Sequence, residues 1–238
     1  MTVSHPQCTQ PLSFSGFLLD MDGTIIDSTE AIVKHWKRIG QEIGVSASEI
    51  LQTSHGRRSI DVFDIVAPHK ANWDYVQHVE SQMPLLYRNL ASEIPGARSL
   101  LNELIAASAP WAIVTSGTEP LVTAWLKVLD LPKPHHLITA ESVARGKPDP
   151  ACYRMGLAKL GLQDCPPDNV LVIEDAPAGI RAGKAAGCKV LALTTSHSLQ
   201  QVSAAGPDWI VKDLNSVRVV EQAQGKVAIE ILKALQPV

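Results

Sequence analysis

This 238-residue chain predicts an α/β fold: a doubly wound parallel sheet interrupted by an all-helical insertion. Three observations carry the prediction. Residues 14–19 form a short apolar run that ends abruptly in acids, as a buried strand does. From 27 to 94 apolar residues recur at helical spacing with no strand apparent among them. From 95 onward strand and helix patterns alternate, as they do when parallel strands are covered by helices on both faces.

Composition narrows the classes. Hydrophobic residues make up 45% and charged residues 19%, which suits a globular chain with a sizeable core. A net charge of −3 argues against a nucleic-acid or polybasic membrane surface. No apolar run approaches the roughly 18 residues of a membrane span, so neither nucleic acid nor membrane is an expected partner. The first thirteen residues lack a basic region followed by an apolar block. They are read as a mobile lead-in and not a secretory signal. Cys8, Cys152, Cys165 and Cys188 form no C-x-x-C pair, so reduced thiols and a cytoplasmic location are expected. His135 and His136, adjacent in a strand, are expected to face opposite sides, one at the surface and one in the core.

The first strand runs into Asp20-Met21-Asp22-Gly23-Thr24. Carboxylates two apart in an extended chain project to one side. Asp20 and Asp22 therefore crowd together beyond the strand's carboxyl end, where open α/β sheets bind ligands. Gly23 lets the backbone turn, and Thr24 offers a hydroxyl to a phosphate or to the loop. In the insertion, Asp27 and Glu30 have the spacing of a capping box with Asp in place of Ser. Ile32, Trp36, Ile39 and Ile43 then mark a helix, and Ser46 with Glu49 caps another. Val76, Val79, Met83, Leu86 and Leu90 form a further apolar stripe, broken by Pro84. Ile94-Pro95-Gly96 is a return hinge. The core is thus discontinuous, residues 1–26 and 95–238, around a helical unit of residues 27–94.

Beyond the hinge, helices are expected over 97–107, 119–129, 150–160 and 177–186. Strands are expected over 111–115, 136–139, 170–173, 189–193 and 208–211. Residues 217–221 and 227–232 read as a hairpin turning at Gly225; an amphipathic helix over 226–235 is the alternative.

Three further stretches carry chemistry. Thr115-Ser116-Gly117 ends a strand with hydroxyls and backbone N–H groups able to hold phosphate oxygens, although such turns are also ordinary helix starts. Lys147 sits in Arg145-Gly146-Lys147-Pro148-Asp149-Pro150, whose prolines suit a helix start. Glu174 and Asp175 close an apolar strand, and adjacent carboxylates there repel unless a cation or proton is present. Hard oxygen donors beside a phosphate suit Mg²⁺.

Taken in this order, the four stretches resemble the motifs of the haloacid dehalogenase-like hydrolase superfamily, over residues 14–213. The resemblance implies a Rossmann-like core carrying a C1-type helical cap. It implies Asp20 as nucleophile and metal ligand, and Asp22 as acid/base and main-chain ligand. It also implies Thr115 and Lys147 as holders of the phosphoryl group, Ser116 and Gly117 as substrate contacts, and Asp175 and Glu174 as Mg²⁺ ligands, Glu174 directly or through water. Ser54-His55-Gly56-Arg57-Arg58-Ser59-Ile60-Asp61 is similar to a cap segment of the fungal glycerol-phosphate and 2-deoxyglucose-6-phosphate phosphatases, as Trp111–Thr118 is to their second motif. By that likeness His55 and Arg58 reach the substrate from the cap and Arg57 is a bystander. The activity implied is Mg²⁺-dependent hydrolysis of a small sugar or polyol phosphate through an aspartyl-phosphate. The partner would be a small phosphorylated metabolite and the chain a monomer. A β-phosphoglucomutase-type phosphotransferase and a non-catalytic phosphometabolite-binding protein on the same scaffold are the alternatives. A haloacid dehalogenase needs neither Asp22 nor a metal.

Overall fold

The computed structural model describes residues 11–54, 56–223 and 225–236. Residues 1–10, which hold Cys8 and most of the expected lead-in, lie outside the described residues, as does His55. The lead-in's last residues already belong to a strand, β1 (Leu12–Phe14). The single strand expected over 14–19 is in fact two. At Ser15 the backbone donates to the Asn169 carbonyl (2.7 Å) and the chain changes sheets, continuing as β2 (Gly16–Leu19).

The chain then leaves the sheet through β3 (Ile26–Asp27), α1 (Thr29–Ile43), α2 (Ala47–Ser54), α3 (Ser59–Val66), α4 (Trp73–Ser81) and α5 (Met83–Leu86), and returns through β4 (Ser92–Glu93). The ribbon β3–β4, pairing Ile26 with Glu93 and Asp27 with Ser92, ties together the points where the helical cap begins and ends. Strands of two residues carry no periodicity, so the sequence pattern did not reveal them. The capping box at Asp27 and Glu30 does not form. Ser28 is the N-cap, and Asp27 Oδ1 accepts from the Thr29 amide (3.1 Å). Ser46 does accept from the Glu49 amide (3.2 Å). The expected break at Pro84 is present, with Pro84 in the first turn of α5. The apolar stripe is buried only as far as Met83, and Leu86 is exposed. Trp36, Ile39, Val62, Phe63, Val76 and Val79 give the cap a core of its own, each large side chain contributing about 1.5–3 kcal/mol by burial.

After the cap come α6 (Ala97–Ala106), β5 (Trp111–Val114), α7 (Glu119–Val128), β6 (His136–Ile138), α8 (Ala151–Lys159), β7 (Val170–Glu174), α9 (Pro177–Ala185), β8 (Lys189–Leu193), α10 (Leu199–Ser203) and β9 (Trp209–Val211). All but α10 lie within a residue or two of expectation. Helix α10 escaped notice although Ser198 and Gln201 cap it reciprocally. The parallel sheet has the order β6-β5-β2-β7-β8-β9. Alternate residues of its central strands feed two cores, Leu19, Ile113 and Ile173 on one face and Leu18, Ala112 and Val172 on the other. His136 is half-buried and His135 exposed, so neither takes the core position expected of one of them. β6 lies at the sheet's edge, where its side chains are only partly covered.

The C-terminal segment is the hairpin, β10 (Val217–Ala223) and β11 (Lys226–Ile231), and not the helix. Strand β1 adds to it as a third antiparallel strand. Cys152, Cys165 and Cys188 are unpaired thiols. Among the described residues no helix is long and apolar enough to cross a membrane.

Candidate active site

Strand order brings the motifs together. β2 lies between β5 and β7, with Leu19 in register with Ile113 and Ile173. The residues that follow these strands, Asp20, Thr115 and Asp175, therefore emerge side by side at the carboxyl edge. The Asp20 amide still donates to Ile173 O (3.0 Å), which fixes where its side chain begins. Lys147, from the turn before α8, inserts between them. Its Nζ donates to Asp20 Oδ1 (2.5 Å), Glu174 Oε1 (2.8 Å) and the Val114 carbonyl (3.0 Å). All four of Asp20, Lys147, Glu174 and Asp175 are buried.

Glu174 has both oxygens engaged. Oε1 accepts from Lys147 and from Tyr153 Oη (3.0 Å), and Oε2 accepts from the backbone N–H groups of Asp175 and Ala176 (2.9 Å each). Asp175 Oδ1 accepts from Thr24 Oγ1 (3.0 Å) and Oδ2 from Ser196 Oγ. Asp22 is half-buried and its Oδ1 accepts from Ser28 Oγ (2.5 Å). Gly23 lies at φ +87°, and a Cβ there would overlap the Asp175 carboxylate.

The electrostatics follow from burial. Desolvation pushes the Asp20 carboxyl well up; the Lys147 ammonium opposes the shift, and Glu174 and Asp175 add to it. Asp175 is pushed up to about 7, by burial first and then by the charge of Glu174. Burial disfavours the Lys147 ammonium, but Asp20 and Glu174 together outweigh it and raise its pKa. Burial also raises Asp22. Crowded carboxylates of this kind call for more positive charge than one lysine provides. Asp20, Glu174 and Asp175 each offer an oxygen, all within 4.8 Å of one another. That donor set fits a hard divalent cation.

The cap closes over these groups. Ser116 Oγ donates to the Gly56 carbonyl (3.1 Å), and the Thr118 amide donates to Glu80 Oε2 (2.8 Å). Between cap and core lies a cavity of about 130 Å³, lined by Asp20, Asp22, Thr115 and Lys147 from below and by His35, Trp36 and Arg57 from the cap, among others. With a water needing roughly 10–15 Å³ on such a measure, it has room for on the order of ten water-sized groups.

A family model for the haloacid dehalogenase-like hydrolases matches residues 17–193. The chain belongs to this family. It is 41% identical over 219 residues to glycerol-1-phosphate phosphohydrolase 2 of Saccharomyces cerevisiae, covering 89% of this chain and 88% of that one. It is 35% identical over 233 residues to 2-deoxyglucose-6-phosphate phosphatase 2 of the same yeast, covering 90% and 94%. Among solved structures, a hydrolase from Pseudomonas syringae superposes with a TM-score of 0.70 at 24% identity, over 84% of this chain and 94% of that one.

Within this haloacid dehalogenase-like hydrolase, the structure gathers Asp20, Asp22, Thr115, Ser116, Gly117, Lys147, Glu174 and Asp175 around one cavity. Arg58 is directed elsewhere. Its guanidinium pairs with Asp61 (2.7 Å) and donates to the carbonyls of Ala140 (3.2 Å), Val143 (2.7 Å) and Ala144 (3.2 Å). It fastens cap to core, while Arg57, expected to be a bystander, lines the cavity. Glu174, expected to ligate a metal directly or through water, stands with Asp20 and Asp175 in the carboxylate cluster, while its oxygens also accept from Lys147, Tyr153 and the amides of Asp175 and Ala176. The Gly117 amide donates to Thr115 Oγ1 (3.0 Å), which shapes the turn from within. Sequence reasoning passed over Ser28, Tyr153, Glu80 and Ser196. Only Ser196 carried a signal, since it lies just past the carboxyl end of β8, on the same edge of the sheet.

Proposed function

We propose that this chain is a Mg²⁺-dependent phosphatase that hydrolyses a small sugar or polyol phosphate monoester. The observation that carries the reading is the Asp20 carboxylate, held 2.5 Å from Lys147 beside Asp175 on the floor of the cap-covered cavity. The named activities of the yeast relatives support the same class of substrate.

In this reading the Asp20 carboxylate attacks phosphorus and forms an aspartyl-phosphate, dividing one difficult displacement into two. Asp22, whose carboxyl burial pushes up, holds a proton for the leaving alkoxide and afterwards takes one from the attacking water. Lys147 and the Thr115 hydroxyl hold the phosphoryl oxygens, where positioning and charge stabilisation do most of the catalysis. Glu174 and Tyr153 keep Lys147 in place. Asp20, Asp175 and the main-chain carbonyl of Asp22 would hold a divalent cation, which supplies the positive charge that lets one anion approach another. Mg²⁺ fits a donor set made wholly of oxygens. The cap excludes bulk water. Residues 1–26 and 95–238 act as the catalytic unit and 27–94 as the lid, and every group named comes from one chain.

The test is a phosphate-release assay over glycerol, hexose and hexitol phosphates with Mg²⁺ or with EDTA. Inorganic phosphate should appear only with Mg²⁺, and Asp20→Asn should abolish it with an unchanged circular dichroism spectrum. An isomeric ester in place of inorganic phosphate would make the chain a mutase. Mg²⁺-dependent release by Asp20→Asn would remove Asp20 from its role.

A further inference from the structure

The cap end of the cavity contains polar groups that the fold itself leaves without partners. His35, on α1, is 1% exposed and lines the cavity, yet neither ring nitrogen has a hydrogen-bond partner. Ser54, at the end of α2, lines the same cavity, is buried, and its Oγ is likewise without a partner. An unmade buried hydrogen bond costs about 1–3 kcal/mol, and buried polar atoms are paired in the great majority of cases. Two such side chains on consecutive helices, both lining one cavity, are what a site completed by its ligand looks like.

We propose that His35 and Ser54 bind hydroxyl groups of an uncharged polyol leaving group, and that His35 determines the selectivity for it. The inference rests on the hydrolytic reading above and names which end of the substrate the cap recognises. A neutral imidazole carries one donor and one acceptor nitrogen, and a serine hydroxyl is both. A substrate hydroxyl is also both, so two of them complete the pair without burying a charge. The ring stays neutral in this environment, because burial, helped by the nearby Arg38 charge, pulls it down to about 3. Glu80 lines the same cavity, its Oε1 accepting from Ser59 Oγ (2.5 Å) and its Oε2 from the Thr118 amide. An ester bearing a carboxylate or a second phosphate at this end would set an anion against that carboxyl group, beside a neutral ring, and Arg38, whose charge acts on the ring, does not line the cavity. Arg57 does line the cavity but is exposed, so water already screens its charge.

The experiment compares wild type with His35→Phe on glycerol phosphate and on p-nitrophenyl phosphate, whose leaving group has no aliphatic hydroxyl. The ratio of kcat/KM for glycerol phosphate to that for p-nitrophenyl phosphate should fall roughly tenfold or more, mainly through KM for glycerol phosphate. His35→Gln, which keeps a donor and an acceptor, should recover part of the loss. Should His35→Phe fail to fold, His35→Gln and Ser54→Ala carry the comparison, each lowering the ratio several-fold. An unchanged ratio overturns the proposal. If wild type hydrolyses neither ester, the hydrolytic reading fails and melting temperature decides the binding site. A rise with glycerol phosphate that His35→Phe loses upholds the assignment, and no rise, or an equal rise in both proteins, overturns it.

Discussion

Acidification from about pH 7 to about pH 5 should destabilise the wild type by about 2 kcal/mol more than it does a His35→Phe variant. His35 has its ordinary pKa of 6.5 pulled down to about 3 in the folded chain, by burial first and by Arg38 second. Between those two values the unfolded chain binds a proton that the folded chain refuses. Stability therefore rises with pH across that interval. The contribution of the neutral ring is complete above 6.5 and is lost as pH falls toward 3. At about 1.4 kcal/mol per pKa unit, the whole interval is worth on the order of 5 kcal/mol, of which roughly 2 kcal/mol is lost by pH 5. Asp20, Asp22, Glu80 and Asp175 are raised by burial. They act in the opposite sense, stabilising the fold as they protonate, but they are common to both proteins and cancel in the difference. Urea unfolding of the two proteins at matched ionic strength, extrapolated to water at each pH, measures it. Parallel losses in wild type and variant would refute the assignment of a buried, neutral His35.

Other consequences follow from the same geometry. Gly179→Ala would ordinarily stabilise a helix by about 1 kcal/mol, but a Cβ there overlaps the Glu174 carboxylate that holds Lys147. Phosphate release should fall about tenfold or more with no gain in urea stability, and a more stable, fully active variant would contradict the role given to Glu174. Arg58→Ala removes a buried guanidinium from three core carbonyls and should lower unfolding free energy by about 2–3 kcal/mol. A change confined to KM at unaltered stability would instead make Arg58 a substrate contact. Mg²⁺ should raise the melting temperature of wild type and not of Asp175→Asn; an equal rise in both would place the cation elsewhere.

The sheet and the motif residues were legible because strong, local patterns encode them. Apolar runs ending in acids or hydroxyls mark β2, β5 and β7, and strand adjacency then brings Asp20, Thr115 and Asp175 together without further information. What was not legible depends on contacts between distant segments. Ribbon β3–β4 is too short for periodicity, and β1 becomes a strand only because β11 is there to pair with it. The choice between Arg57 and Arg58 turns on which side chain meets the carbonyls of residues 140–144, a meeting of cap and core that spacing within the cap does not encode. Glu174 reads from sequence as a metal ligand, directly or through water, because it ends the strand beside Asp175, and the structure keeps it in that carboxylate cluster. Tyr153 and the amides of Asp175 and Ala176, which engage its oxygens, are apparent only in three dimensions. His35 carries no signal in the sequence beyond its place next to Trp36 in a helical stretch, and only the cavity beside it gives its bare nitrogens significance.

The central claim is that Asp20 carries the phosphoryl group between the two half-reactions. Rapid acid quench during turnover of glycerol phosphate with Mg²⁺, followed by peptide mass spectrometry, examines it most directly. The account predicts a phosphorylated peptide with the modification on Asp20, absent from Asp20→Asn. Turnover with the phosphoryl group trapped on any other residue would contradict it.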